Sequence, residues 1–206
     1  MGAGTWNRRG KLTYFAENTE QNAPGWFAKL LKDHDVKTRG RAIDLACGAG
    51  RYTLELLRWG LEVISVDIEF QALELLRKRC HPYSTTTISH DISRLDFEKN
   101  YFEVALAMDC FQFLTRTDVC RVVSRMQSWL HSRGIMILQF RGCKDQTVGR
   151  CSLCKTWTRE DVEGLFSALP GYMLLKFFET ESDKKMLGDR ETIHTHILTF
   201  VWRKVY

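Results

Sequence analysis

Long hydrophobic runs are missing from this chain. No stretch approaches the roughly 20 apolar residues that a membrane-crossing helix needs, and the opening MGAGTWNRRG has no apolar segment of the kind a secretory leader requires. These absences point away from a membrane and toward the cytoplasm. Gly2 raises N-myristoylation, but that signal wants Ser or Thr where the chain has Trp6. A concentrated basic stripe is also missing. The formal charge is +5 and the pI about 8.8, yet Lys and Arg are scattered in short groups such as Arg8-Arg9, Arg77-Lys78-Arg79 and Lys184-Lys185, which reads as a solvated surface and not as a nucleic-acid face. Without a secretory leader, the seven cysteines belong to a reducing compartment, and no structural disulfide is expected. Internal repeats and low-complexity tracts are absent. With 206 residues, 44% of them hydrophobic, the chain has material for one substantial core, so residues 1–206 are read as a single domain.

Proline is scarce, and each of the three, Pro24, Pro82 and Pro170, is predicted to start or stop an element. Pro24 precedes Trp26, Phe27, Leu30 and Leu31, a spacing that predicts a helix over 24–34 with proline in its first turn. It forms part of an N-terminal helical cap over about 1–38. Beyond it, strand-length apolar runs alternate with amphipathic runs: RAIDLA, a helix over 50–59, LEVISVD, a helix over 69–79, TTTISHD, then FEVALAMD. Val119, Val122, Val123, Met126, Trp129 and Leu130 predict a helix over 116–131, with Gly134 just past its end. GIMILQF is a fifth strand, and Thr158 with Asp161 resembles a capping box opening a further helix through Leu165 and Phe166. YMLLKFFE and HILTFVWRK end the chain as two strands joined by a charged connection. The expected fold is α/β, a seven-stranded mostly parallel sheet with one antiparallel strand and helices on both faces.

Chemistry concentrates in DLACGAGRYT at 44–53, where the first strand passes into a helix. Gly48 and Gly50 let the backbone approach a ligand, and the helix start offers free N–H groups. Asp67 ends the second strand about 20 residues on, where a carboxylate can accept hydrogen bonds from both hydroxyls of a ribose. The plain alternative is a tight turn with a chance acidic residue. Spacing alone does not separate a dinucleotide from another nucleoside ligand. No third glycine follows Gly50, however, whereas a pyrophosphate turn wants G-x-G-x-x-G.

An acidic residue followed by a G-x-G turn resembles the first motif of the Rossmann-like, S-adenosylmethionine-dependent methyltransferases. The likeness is nearest to the small tellurite-resistance and thiopurine-type enzymes, and it runs from about Trp26 to Lys204. The resemblance implies that Asp44 engages the methionine part of S-adenosylmethionine, that Ala46, Cys47, Gly48 and Gly50 line the turn, and that Asp67 takes the ribose. It also implies Ile68 against adenine, Asp91 facing the adenine amino group with Ile92 beside it, and Asp109 and Cys110 next to the transferable methyl. Ala46 departs from the family, which has glycine there.

The end of the fourth strand lacks the N/D-P-P-Y/F motif of exocyclic base-amine methyltransferases, and the Pro-Cys or Thr-Cys of pyrimidine-C5 enzymes. Cys110 is accordingly read as a packed, inert neighbour. Asp109, His194 and His196 are the candidate catalytic residues, the histidines because two positions of alternation point both the same way; the other reading makes them surface connection. Tyr14 and Trp26 lie in the segment that covers the cofactor in the look-alikes, against a reading as core aromatics. Cys143, Cys151 and Cys154 have no fourth ligand nearby, so no metal is expected. The expected activity is methyl transfer to a small-molecule acceptor. The alternatives are an RNA or protein methyltransferase and a non-catalytic cofactor-binding regulator.

Overall fold

The computed structural model describes residues 22–146, 148, 155–167, 171–185 and 192–206. Tyr14, Pro170, Cys151 and Cys154 lie outside them. Pro24, in extended conformation, is the N-cap of α1 (Gly25–Asp33) and so stands just before the first turn. There follow β1 (Arg41–Leu45), α2 (Arg51–Trp59), β2 (Glu62–Asp67), α3 (Phe70–Cys80), β3 (Thr86–Ser89) and β4 (Phe102–Ala107). The second half holds α4 (Arg116–Trp129), β5 (Leu130–Arg141), α5 (Arg159–Ser167), β6 (Tyr172–Lys185) and β7 (Thr192–Lys204).

The seven strands form one sheet in the order β3-β2-β1-β4-β5-β7-β6. β1 to β5 pair in parallel, and β7 runs antiparallel to both β5 and β6. This is the expected α/β architecture, a Rossmann-like sheet with one reversed strand. β1 and β4, buried on both faces after the first residues, are the central pair. One apolar layer joins Phe27, Leu30 and Leu31 of α1 to Leu54 and Leu57 of α2 and Leu73 and Leu76 of α3. The opposite layer packs Val119, Val122, Val123 and Met126 of α4 with Val162 and Phe166 of α5. No helix among the described residues is long and apolar enough to cross a membrane.

The ends of elements differ from the periodic reading where tertiary pairing wins. α4 ends at Trp129, and Leu130 already pairs with Phe102 in β5. The register then shifts, so that Val104 pairs with Ile135 and residues 131–134 bulge. Gly134 therefore lies inside a strand and not past a helix end; a Cβ there would stand 2.9 Å from the His131 carbonyl oxygen. The final hairpin is also longer than expected. Glu181 opposes His196 and Asp183 opposes His194, so the polar stretch is paired cross-strand and both histidines lie inside β7. Thr158 and Asp161 do form a reciprocal capping box: Asp161 N–H donates to Thr158 Oγ1 at 3.1 Å and Thr158 N–H to Asp161 Oδ2 at 2.9 Å.

Candidate active site

The carboxyl ends of β1 and β4, neighbours in the sheet but far apart in sequence, form the switch point of this topology, where open α/β sheets leave a crevice. The turn leaving β1 is built from left-handed residues. Ala46, Gly48 and Gly50 have φ of 53°, 53° and 81°. The chain is pinned back by Cys47 N–H donating to the Val66 carbonyl at 2.9 Å. A Cβ on Gly50 would stand 2.7 Å from Leu76 Cγ, so glycine there lets α2 close on α3. A Cβ on Gly48 would meet nothing within 4 Å, which leaves that peptide open to a ligand.

Asp67 ties this turn to the one after β2. Its Oδ2 accepts Gly48 N–H at 2.8 Å and its Oδ1 accepts Glu69 N–H at 2.9 Å, and each oxygen keeps acceptor capacity for a hydroxyl. Burial raises its pKa, while these two N–H groups oppose the rise. Directly after it, Ile68 is 66% exposed and Phe70 is exposed too, an apolar shelf beside an acidic ribose-type acceptor. At the end of β3, Asp91 Oδ1 accepts Ser93 N–H at 2.9 Å, and Ile92 is buried in the core. Asp44 is buried on the α2 side of β1, where Thr53 Oγ1 donates to its Oδ2 at 2.7 Å; Thr53 in turn contacts Ser65 at 3.0 Å. Burial pushes the Asp44 carboxyl up to about 7, against the Thr53 hydrogen bond and with help from the charge of Asp67.

The other side of the crevice is held by side chains. Asp109, also left-handed at φ 54°, is gripped by Arg141 at the end of β5: Nε donates to Oδ1 and Nη2 to Oδ2. Arg141 Nη1 donates to Asp145 Oδ2 at 3.0 Å, and that oxygen also accepts the His196 N–H at 2.9 Å. Burial works against the guanidinium, but Asp109 and Asp145 outweigh it and hold Arg141 firmly protonated. Gln112 Nε2 donates to the Asp109 carbonyl at 2.8 Å. Cys110 is buried, and burial with the nearby carboxylates pushes its thiol pKa well up, so it stays a neutral thiol.

His196 is buried in β7 beside the turn after β5. Lys144 N–H points at its Nδ1 at 3.3 Å, which leaves the ring proton on Nε2, 3.2 Å from Glu179 Oε2. Both ring nitrogens thus have protein partners. His194 Nδ1 contacts Asp183 Oδ1 at 2.9 Å. Glu179, Glu181 and His196 bring ligand atoms within 4.8 Å of one another. Lys144 Nζ, however, already sits 2.7 Å from Glu181 Oε1, and the metal-facing Nε2 carries the proton. Trp26 packs its ring at 5.0 Å from Phe178, 5.8 Å from Phe27 and 6.5 Å from Tyr52.

The structure therefore gathers Asp44, Ala46, Cys47, Gly48, Gly50, Asp67, Ile68, Asp91, Ile92, Asp109 and Cys110 at one edge of the sheet. His194 and His196 reach that edge because β7 is reversed: Gly142 N–H donates to the His196 carbonyl at 2.7 Å. Arg141, Gln112, Asp145 and Tyr52 were not foreseen. The one local signal for Arg141 is an arginine directly after the apolar GIMILQF.

Residues 42–134 match the family described as Methyltransferase domain. Over 99 residues, 48% of this chain and 44% of the relative, the sequence is 30% identical to a magnesium-protoporphyrin O-methyltransferase of Rhodobacter capsulatus. The matched stretch thus spans less than half the length of that curated relative. Among solved structures, a SAM-dependent methyltransferase from Methanosarcina mazei aligns with TM-score 0.72 at 13% identity, covering 90% of this chain and 99% of its own. TehB from Haemophilus influenzae aligns with TM-score 0.72 at 19% identity, covering 94% of this chain and 67% of its own. The fold is that of the Rossmann-like methyltransferases. Residues 42–134 are thus similar to a methyltransferase domain, and the structure of like fold from Methanosarcina mazei is that of an S-adenosylmethionine-dependent methyltransferase. The residues present fit that cofactor: an unobstructed Gly48 peptide, a carboxylate with spare acceptor capacity at the end of β2 and an exposed aliphatic side chain after it.

Proposed function

We propose that the protein transfers a methyl group from S-adenosylmethionine to a small-molecule acceptor. The observation that carries this reading is the pairing of the Gly48 turn with Asp67 across the ends of β1 and β2. When bound, the cofactor supplies an electrophilic methyl on a sulfonium. Asp44 and the 46–50 turn hold its amino-acid end, Asp67 its ribose, Ile68 and Ile92 the adenine with Asp91 at the ring's amino group, and Asp109 and Cys110 border the reacting centre. Trp26, packed against Tyr52, covers the site. The protein's main contribution is alignment of acceptor and methyl, since displacement at a sulfonium needs little further help once the reactants are held in line. His194 and His196 act on the acceptor side through the turn that His196 holds.

The name of the magnesium-protoporphyrin relative supports a small-molecule acceptor, and the dispersed basic residues favour it over RNA. The test is a thermal-shift titration. S-adenosylhomocysteine should raise the melting temperature by mass action and NAD should not. A shift with NAD alone would sink the reading, and methyl transfer to RNA with steep salt dependence would replace the acceptor class.

A further inference from the structure

Gln112 is 4% exposed, yet only one end of its amide is satisfied. Nε2 donates to the Asp109 carbonyl at 2.8 Å and to Asp109 Oδ1 at 3.1 Å. Both partners are acceptors, so the amide orientation is determined. Oε1 has no hydrogen-bond partner among the described residues. Buried polar atoms are almost always paired, and one left unpaired opposes folding, so this oxygen calls for a donor that the described residues do not supply. It lies in the short turn Phe111–Phe113, immediately beyond the end of β4 at the edge of the crevice, and the next residue, Phe113, is an exposed aromatic. The groups nearby are poor bases as they stand. Asp109 is gripped by Arg141 and Gln112, and both ring nitrogens of His196 are engaged.

We propose, building on the methyl-transfer reading, that Gln112 Oε1 accepts a hydrogen bond from a neutral amine and thereby selects amines as methyl acceptors. An amine is the nucleophile this arrangement suits. One N–H engages Oε1, and the nitrogen lone pair is left to form the bond to the methyl carbon. The carbon–sulfur bond breaks with its electrons passing to sulfur, which becomes the thioether of S-adenosylhomocysteine. The methylated ammonium then loses its proton to water, so no protein base is required. A thiolate would instead set its charge against an unpaired carbonyl oxygen.

The test uses the full chain with S-adenosylhomocysteine bound, at a pH where benzylamine is substantially neutral, and follows the side-chain amide signals of Gln112 by NMR. Benzylamine should shift them and toluene, the same frame without a donor, should not. With S-adenosylmethionine, benzylamine should be methylated in preference to phenylmethanethiol. Gln112→Met should lower its kcat/KM roughly ten- to a hundred-fold with S-adenosylhomocysteine affinity retained. Equal shifts from both probes, no shift from either, preference for the thiol, or an unchanged rate in Gln112→Met overturns the inference. Should that variant fail to bind S-adenosylhomocysteine, the wild-type signals decide alone. Failure of the wild type to bind S-adenosylhomocysteine would instead sink the methyl-transfer reading, whereas intact binding with silent Gln112 signals sinks only the amine selection.

Discussion

The two sides of the crevice are held together differently. At the ends of β1 and β2 the scaffold is backbone, with left-handed residues at 46, 48 and 50 and two N–H groups on Asp67. At the ends of β4, β5 and β7 it is charged side chain, with Arg141 bridging Asp109 and Asp145, and Asp145 holding the His196 N–H. A backbone scaffold suits a ligand of fixed shape such as a nucleoside. A side-chain network can be altered residue by residue, which suits the side where acceptors differ between enzymes.

The largest effect expected from breaking this contrast is on the side-chain half. Arg141→Met leaves two carboxylates without their cation, one of them, Asp145, with a fully buried side chain. It should destabilise by about 3 to 5 kcal/mol, read as a lower denaturant midpoint at constant m-value. A loss below about 1 kcal/mol would show the network to be peripheral.

The backbone half should respond to pH instead. Burial holds the Asp44 carboxyl near 7 against an ordinary 3.8, so the folded protein keeps a proton that the unfolded chain has released. Stability should then fall as pH rises from about 4 through about 7, by up to about 4 kcal/mol, because the unfolded state binds fewer protons in that window. Asp44→Asn should remove this slope in urea unfolding followed across pH; an identical slope in the variant would assign the dependence elsewhere. Asp67→Ala should weaken S-adenosylhomocysteine roughly ten- to a hundred-fold by calorimetry. It should also loosen both turns, since their amides lose their acceptor. Unchanged affinity would remove Asp67 from the ribose role.

The smallest change is Ala46→Gly. Relief of a left-handed alanine, about 1 kcal/mol, is nearly offset by the freer unfolded glycine. Stability should move by less than about 0.5 kcal/mol, whereas a loss above 1 kcal/mol would mean that the methyl group of Ala46 packs productively.

The half at the ends of β1 and β2 was legible because its parts are local: Asp44, the 46–50 turn and Asp67 lie at strand ends that hydrophobic runs mark. The one reversed strand was likewise readable from the βα alternation ending in a β-β pair, whereas the strand order came only with the structure. The bulge at 131–134 was not, since the helical period runs through Trp129 and Leu130 unbroken and only pairing with Phe102 turns the chain into strand.

By itself, then, the sequence determined the sheet, its helices and the glycine turn after β1, because hydrophobic period and left-handed turns are properties of neighbouring residues. Only the tertiary structure decided the acceptor side. Arg141 meets Asp109 across 32 positions and Asp145 meets His196 across 51. Such contacts arise only when separate strands are brought side by side, and no spacing along the chain encodes them.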